Sequence, residues 1–135
     1  MNKYTLLKVL LPAILIVSSS GSANRIHELV QNNDAKQLLT YLTEAATQYL
    51  LDAEEMSDLV NEPNEVGATP LHFAAMSGNL EVAKYLLFYG ADINALWGRD
   101  TPINTAFVYR NGLVSDLMLQ YYTSCVPRYS AYYSH

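Results

Sequence analysis

Hydrophobic residues recur at helical spacing in short runs, and two such runs stand side by side between Asn64 and Ala95. The first run follows Thr69-Pro70, and a second begins after Gly78 and ends at Gly90. Threonine suits a helix N-cap and proline the first helical position, whereas glycine adopts the left-handed conformation that ends many helices. The pattern therefore predicts two short antiparallel helices followed by an extended, turn-prone segment.

Such a pair of helices cannot bury its own apolar face, so it needs neighbours of the same kind. Residues Thr69 to Ala74 carry the sequence Thr-Pro-Leu-His-Phe-Ala, which resembles the signature of the ankyrin repeat. Gly67, Gly78 and Gly90 agree with that resemblance. It implies an all-α fold, an ankyrin-type helical-hairpin solenoid of about three units with an inserted short helix.

Two further segments repeat the central unit, which covers residues 64–95. Residues 25–49 match it weakly at a shift of 45, with Asn33 near the position of Gly78, and we interpret them as a degenerate capping unit. Residues 96–122 match it at a shift of 32. There Arg110 replaces the glycine, so we expect Asn111-Gly112 to supply the turn one or two residues later.

Residues 50–63 lengthen the connection between the first two units. Asp52, followed three positions later by Glu55, predicts a capped short helix that closes before Pro63. No basic residue interrupts the acidic side chains from Lys36 to Lys84. We interpret them as a solvated face, and the alternative is a docking face for a basic partner.

The first 23 residues differ in kind from the rest. Lys3 and Lys8 precede an uncharged run, and Gly21 and Ala23 fit a small-x-small cleavage pattern. We predict a signal peptide over residues 1–23, a mature chain that begins at Asn24, and export to the periplasm or beyond if the source is bacterial. The alternative is an uncleaved membrane anchor, although the uncharged run is short for a bilayer.

The composition is that of a globular chain: 135 residues, 50% hydrophobic and 16% charged, with a net charge of −5. Without the two leader lysines, 8 − 2 = 6 bases face 13 acids, which gives −7. This charge argues against nucleic acid, or a membrane after leader cleavage, as a partner. Cys125 is the only cysteine, and we interpret it as buried rather than paired with another chain.

Residue types that carry chemistry do not cluster. The ankyrin resemblance gives His72 a structural role, in which it ties the helix start to the neighbouring hairpin, and His27 occupies the matching place in the first unit. The three histidines lack metal-site spacing, and no nucleophile or phosphate-loop motif occurs. We therefore predict no enzyme activity, no cofactor and no metal.

The ankyrin resemblance implies that a partner protein binds the hairpin tips and the first helices. Carried over position by position, it selects ten residues: Glu65, Val66, Ala68, Met76, Ser77, Trp97, Arg99, Asp100, Val108 and Tyr109. Trp97 either contributes to such a surface or folds back onto the neighbouring helices.

We predict a non-catalytic protein–protein interaction module, an exported adaptor or scaffold that is a monomer. The alternative is an accessory or immunity-type inhibitor that binds one enzyme through its acidic insert, and an enzyme with an unrecognised site is a third class. The domain is expected to cover residues 24–122. Residues 123–135, rich in tyrosine, are expected to form a C-terminal cap or tail.

Overall fold

A computed structural model describes residues 20–47 and 51–125, and this part of the chain contains seven helices and no strand. In chain order they are α1 (Ser20–Gln31), α2 (Ala35–Thr47), α3 (Ala53–Asn61), α4 (Pro70–Ser77), α5 (Leu80–Phe88), α6 (Pro102–Val108) and α7 (Gly112–Cys125).

The helices form three antiparallel pairs, α1–α2, α4–α5 and α6–α7, which stack along the chain. The first helices α1, α4 and α6 make one layer, while α2, α5 and α7 make the other, because each first helix packs on the next first helix and each second helix on the next. Helix α3 lies between the first two pairs and contacts α1 and α4. This arrangement confirms the predicted all-α helical-hairpin solenoid with an inserted short helix.

The core runs through the stack between the two layers. Its largest fully buried apolar side chains come from every pair and from the insert: Ile26, Val30, Leu38, Leu42, Val60, Leu71, Val82, Leu86, Leu87 and Met118. Each pair alone exposes an apolar face, so burial of these side chains between pairs stabilises the whole stack.

The turn within each pair passes through the left-handed region. Asn33 has φ 56°, Gly78 φ 73° and Arg110 φ 59°. The expectation that Asn111-Gly112 would supply the third turn is therefore wrong, because Arg110 itself takes the position that glycine holds in the central pair.

Asn111 instead joins the second and third pairs. Its Nδ2 donates to the carbonyls of Ala75 at 2.6 Å and Met76 at 2.9 Å, at the end of α4. A Cβ added to Gly78 would lie 2.6 Å from Asn111 Oδ1. Gly78 is thus needed both for its backbone conformation and for the close approach of this amide.

The insert helix α3 starts with the predicted cap. The carboxylate of Asp52 accepts from Glu55 N–H at 2.9 Å, and the Glu55 carboxylate accepts from Asp52 N–H at 3.2 Å. The buried face of α3 carries Met56, Leu59 and Val60. This reciprocal capping fixes the start of the helix.

Two predicted segments lie mainly outside the described residues: the leader over residues 1–23 and the tail over residues 123–135. Helix α1 begins at Ser20, so the predicted cleavage point between Ala23 and Asn24 falls inside it. Over the described part of the chain, every helix is too short or too polar to cross a membrane.

Candidate functional site

His72 connects the start of α4 with the loop before α6. Its Nδ1 accepts from Thr69 N–H at 3.2 Å and lies 2.8 Å from the Thr69 hydroxyl. Because Nδ1 accepts, Nε2 carries the proton, and it donates to the carbonyl of Asp100 at 3.0 Å. The structural role predicted for His72 is confirmed.

His27 makes the equivalent connection one pair earlier. Its Nε2 lies 2.9 Å from the carbonyl of Glu62, directly after α3. Among the residues that the structure describes, its Nδ1 has no hydrogen-bond partner, although the residue is only 4% exposed. The insert therefore provides the carbonyl that the loop tip at Asp100 provides for His72.

Burial lowers the pKa of both histidines below the ordinary value of 6.5, because the imidazolium form loses its hydration. The accepting carbonyls of Glu62 and Asp100 oppose this effect and raise each pKa in part. Both side chains are neutral hydrogen-bonded connectors at pH 7, rather than groups exposed to a substrate.

A row of rings runs from the first pair to the loop before α6. His27 meets Phe73 edge-on with centroids 5.7 Å apart, Phe73 lies 6.3 Å from Trp97, and Trp97 meets His72 edge-on at 5.9 Å. Trp97 thus folds back onto α4 and remains only partly exposed. Its indole contributes mainly to internal packing.

The two loop tips are held by their own backbone and side chains. In the tip at residues 64–68, Asn64 Oδ1 accepts from the N–H groups of Val66 at 3.1 Å and Ala68 at 3.0 Å. In the tip at residues 96–100, Trp97 and Asp100 exchange two backbone hydrogen bonds of 2.9 and 3.1 Å. We call these tips, together with the C-terminal ends of α4 and α6, the tip surface.

The structure distributes the ten predicted binding residues unevenly over this surface. Val66 is 65% exposed, Val108 72% and Tyr109 50%. The exposed polar members are Glu65, Ser77, Arg99 and Asp100, and the partly buried members are Met76 and Trp97. Ala68 is a correction: it is fully buried beside the N-cap of α4, so its side chain is not available to a partner.

Several exposed apolar residues were not among the predicted binding positions. Leu96 extends the tip surface beside Trp97 and is 65% exposed. Phe107 and Leu119 are 58% and 43% exposed, whereas the residues one repeat earlier, Ala75 and Leu87, are buried. The repeat alignment contained this signal, because a phenylalanine stands where the central unit has alanine.

Three acidic side chains of the insert are exposed, whereas the capping residues Asp52 and Glu55 are half-buried. Glu54 and Asp58 are exposed one helical turn apart on α3, and Glu62 follows, also exposed. On α1, away from this group, Arg25 Nη1 and Glu28 Oε2 lie 2.9 Å apart and form an ion pair. The exposed carboxylates therefore lie outside the buried face of α3, which carries Met56, Leu59 and Val60.

The described residues contain few clusters of side chains that could bind a metal ion or a small ligand. They contain no group of three histidine, cysteine, aspartate or glutamate side chains that could hold a metal ion. A cleft of about 220 Å³ on the outer side of the first pair is lined by a mixture of charged, polar and apolar residues: Arg25, Leu29, Gln37, Thr40, Tyr41 and Glu44.

Several known proteins are similar to part of this chain. It is 43% identical over 49 residues to palmitoyltransferase akr1 of Schizosaccharomyces pombe, 36% over 77 residues to tyrosine-protein kinase HTK16 of Hydra vulgaris, and 34% over 71 residues to DNA-binding protein RFXANK of Mus musculus. These alignments cover 36%, 56% and 53% of this chain but only 7%, 10% and 26% of the relatives. The similarity therefore concerns one part of larger proteins whose activities differ.

The family comparison covers a larger share of the chain. The model for ankyrin repeats (three copies) matches residues 5–96, which is more than half of the sequence. That range contains the Thr-Pro-Leu-His motif and the first two helix pairs, and the third pair repeats the same architecture. Ankyrin repeat domains are typically non-catalytic units that bind other proteins. The chain belongs to the ankyrin repeat family.

Proposed function

We propose that this chain is a non-catalytic module that binds another protein through the tip surface. The observation that supports this proposal is the exposure of Val66, Val108 and Tyr109 on elements whose backbones are held by hydrogen bonds. Exposed large apolar side chains on a rigid support lose little conformational entropy when a partner covers them. Such a surface suits binding rather than a reaction.

The test requires a partner first, obtained by cross-linking in the native compartment and identified by mass spectrometry. We then compare the partner affinity of the natural chain with that of the double variant Val108→Ser, Tyr109→Ser. Central aromatic and apolar contacts contribute about 2 kcal/mol or more, so we expect at least roughly 30-fold weaker binding.

The matched control is Phe88→Ser with Leu113→Ser, which removes two comparably exposed apolar side chains (76% and 72%) from the second-helix layer. It should leave the affinity unchanged. Equal affinity of the natural chain and the Val108, Tyr109 double variant would show that the tip surface is not the binding site. Trp97 is unsuitable for this test because its removal also disturbs the packing on His72 and Phe73.

A second candidate function is inhibition of one basic enzyme by the acidic insert. It is favoured by Glu54 and Asp58, which are exposed on the same side of α3, with Glu62 beyond them. Binding of this kind weakens steeply as ionic strength rises, because salt screens charge attraction. The double variant Glu54→Gln, Asp58→Asn should then weaken binding at low salt, and an affinity that salt does not change contradicts the inhibitor function.

We further propose that the chain is exported and acts as an adaptor or scaffold outside the cytoplasm, in the periplasm or beyond if the source is bacterial. The basic start, apolar run and small residues of positions 1–23 support this. Intact-mass measurement of the protein isolated from cells tests it, and a chain that starts at Asn24 is expected. We propose a monomer, which sedimentation velocity measures directly.

A further inference from the structure

The side-chain amide of Asn111 connects the second and third helix pairs. Its Nδ2 donates to the carbonyls of Ala75 at 2.6 Å and Met76 at 2.9 Å. These carbonyls belong to the last turn of α4, where a helix has no partners of its own to offer them. Because carbonyls only accept, the side chain at position 111 must present N–H groups here, and a carboxylate cannot replace the amide.

Asn111 is followed by Gly112, and this is the one Asn-Gly dipeptide in the sequence. Gly112 begins α7 without a positive φ, and a Cβ added to it would meet no atom within 4 Å in the described part of the chain. The fold therefore does not require glycine at this position, and helices generally favour alanine over glycine. What the missing side chain changes is the access of the Asn111 side chain to the Gly112 nitrogen.

We propose that Asn111 is a site of deamidation, which gives the junction between the second and third pairs a limited lifetime. The Gly112 nitrogen attacks Asn111 Cγ, the Cγ–Nδ2 bond breaks, and ammonia leaves with the proton of the Gly112 amide. Water then opens the resulting succinimide ring. Hydrolysis at Cγ gives aspartate, and hydrolysis at the backbone carbonyl gives isoaspartate, in which the chain continues through Cγ. Water is the only co-reactant.

The folded junction controls when this reaction occurs. Ring closure requires Asn111 Cγ to turn towards the Gly112 nitrogen, whereas the two hydrogen bonds hold the amide against the end of α4. The reaction therefore proceeds from a locally opened state, in which this contact between the pairs is broken. Afterwards, the new carboxylate has no N–H to offer the carbonyls of Ala75 and Met76, and its charge repels them. A junction that has opened and reacted is weakened irreversibly.

Asn79 stands at the same position of the central pair and is the matched control. It is followed by Leu80, whose side chain hinders attack by the backbone nitrogen. Asn79 Oδ1 accepts from Val82 N–H at 3.1 Å and so caps α5, which a carboxylate does equally well. Its Nδ2 makes a long contact of 3.4 Å with the carbonyl of Asn33. Acid at position 79 should therefore form slowly and destabilise the fold little.

The first experiment follows both asparagines by peptide mass spectrometry while the purified full chain is incubated at pH 7.5. Acid should accumulate at position 111 much faster than at position 79. Urea below the unfolding transition should speed the reaction, because it raises the population of open states. Gly112→Ala should slow it at least about tenfold, which corresponds to roughly 1.4 kcal/mol in the barrier. The same variant should leave the Tm equal or higher.

The second experiment measures the consequence for stability. Anion exchange separates the deamidated chain through its additional negative charge, and its Tm should lie about 4–8 °C or more below that of the intact chain. Asn111→Asp should reproduce this fall, and Asn79→Asp should change the Tm far less. Because the deamidated natural chain is measured directly, the test does not depend on whether the Asn111 variant folds.

Three results would each overturn the inference: equal rates at the two asparagines, a rate that Gly112→Ala does not lower, or an unchanged Tm of the deamidated chain. A rate that urea does not change would overturn the requirement for opening. None of these measurements involves a partner protein, so this inference and the proposed function are tested independently.

Discussion

At the scale of single residues, His27 and His72 show how one side chain links successive units. Each donates from Nε2 to a carbonyl in the segment that leads into the next pair, Glu62 or Asp100. Burial lowers the pKa of each because the charged ring loses hydration. The neutral rings therefore stabilise the stack, and protonation of the rings destabilises it.

The direction of these shifts predicts that acid weakens the fold. The folded-state pKa lies below the unfolded value of about 6.5, so the neutral-state stabilisation is complete above pH 6.5. It is lost as pH falls from 6.5 toward the folded-state values, by at most ~1.4 kcal/mol per pH unit for each histidine. Thermal unfolding at pH 7.5 and 5.5 measures this, and we expect a lower Tm at pH 5.5.

His72→Gln is the informative variant for that measurement. It should lower the Tm at pH 7.5, because the glutamine amide cannot reproduce the two ring hydrogen bonds, to Thr69 and to Asp100, at once. It should also reduce the dependence of Tm on pH, because glutamine does not titrate. An unchanged pH dependence in this variant would mean that other groups cause the acid sensitivity.

Arg110 gives a second prediction at residue scale. Its φ of 59° costs roughly 1 kcal/mol or more for a residue with a Cβ, and glycine avoids that cost. Allowing for the greater flexibility of glycine in the unfolded chain, Arg110→Gly should raise the free energy of unfolding by about 0.5–1 kcal/mol. Urea denaturation measures the change. Arg110→Ala keeps the Cβ and should not stabilise, so a gain there would point to charge rather than backbone strain.

At the scale of elements, the insert helix α3 supports the junction between the first two helix pairs. Asn61 Nδ2 donates to the carbonyl of Gly90 at 2.9 Å, and Asn61 Oδ1 accepts from Asp92 N–H at 2.6 Å. Ser57 Oγ reaches the same Gly90 carbonyl at 3.2 Å. The insert thus supports the loop that leads from α5 to the second tip.

We predict that Asn61→Ala lowers the free energy of unfolding by about 1 kcal/mol, because the loop groups it leaves are partly open to water. Asp58→Ala, on the exposed side of the same helix, is the control and should change stability little. Amide hydrogen exchange should show faster opening of residues 90–94 in the Asn61 variant alone. Equal protection in both variants would contradict the support role of Asn61.

At the scale of the whole molecule, the described stack ends with exposed apolar side chains. Phe107 and Leu119 occupy positions that are buried one repeat earlier. Tyr121 OH donates to the carbonyl of Leu87 at 2.8 Å and so fastens α7 to α5. Repeat stacks need a covered end, since terminal units lack a neighbour on one side.

We predict that removal of residues 121–135 destabilises the entire domain, because the Tyr121 bond and the last turn of α7 are lost. Removal of residues 126–135 alone separates the tail from the helix. A lower Tm in both truncations would support a capping tail, whereas a Tm that falls only in the longer one would confine the effect to α7. An unchanged Tm in the longer truncation would contradict the prediction.

The sequence predicted the fold well because its signals were local. Thr69-Pro70 and Gly78 specify a helix start and stop through backbone chemistry within a few residues. The Asp52–Glu55 cap is local in the same way. The turn of the third pair was predicted at Asn111-Gly112 but lies at Arg110. Asn111 donates to the carbonyls of Ala75 and Met76, and this contact between pairs determines where the turn must lie.

The candidate binding surface was predictable only in part. The repeat positions located Val66, Val108 and Tyr109, but burial decides which side chains remain available to a partner. Ala68 is buried and Trp97 is turned inward against His72, and neither outcome follows from repeat position. Which of the exposed residues bind stays a prediction.

The order of residues alone determined the helical hairpins, their caps and the family, because those features depend on neighbours within one or two turns. The tertiary structure decided which apolar side chains stay exposed, that the insert supports the second tip, and that Nδ1 of His27 has no donor within the described part of the chain. These properties depend on contacts between segments that are distant in sequence. The interaction energy of such a contact cannot be deduced from the sequence of either segment alone.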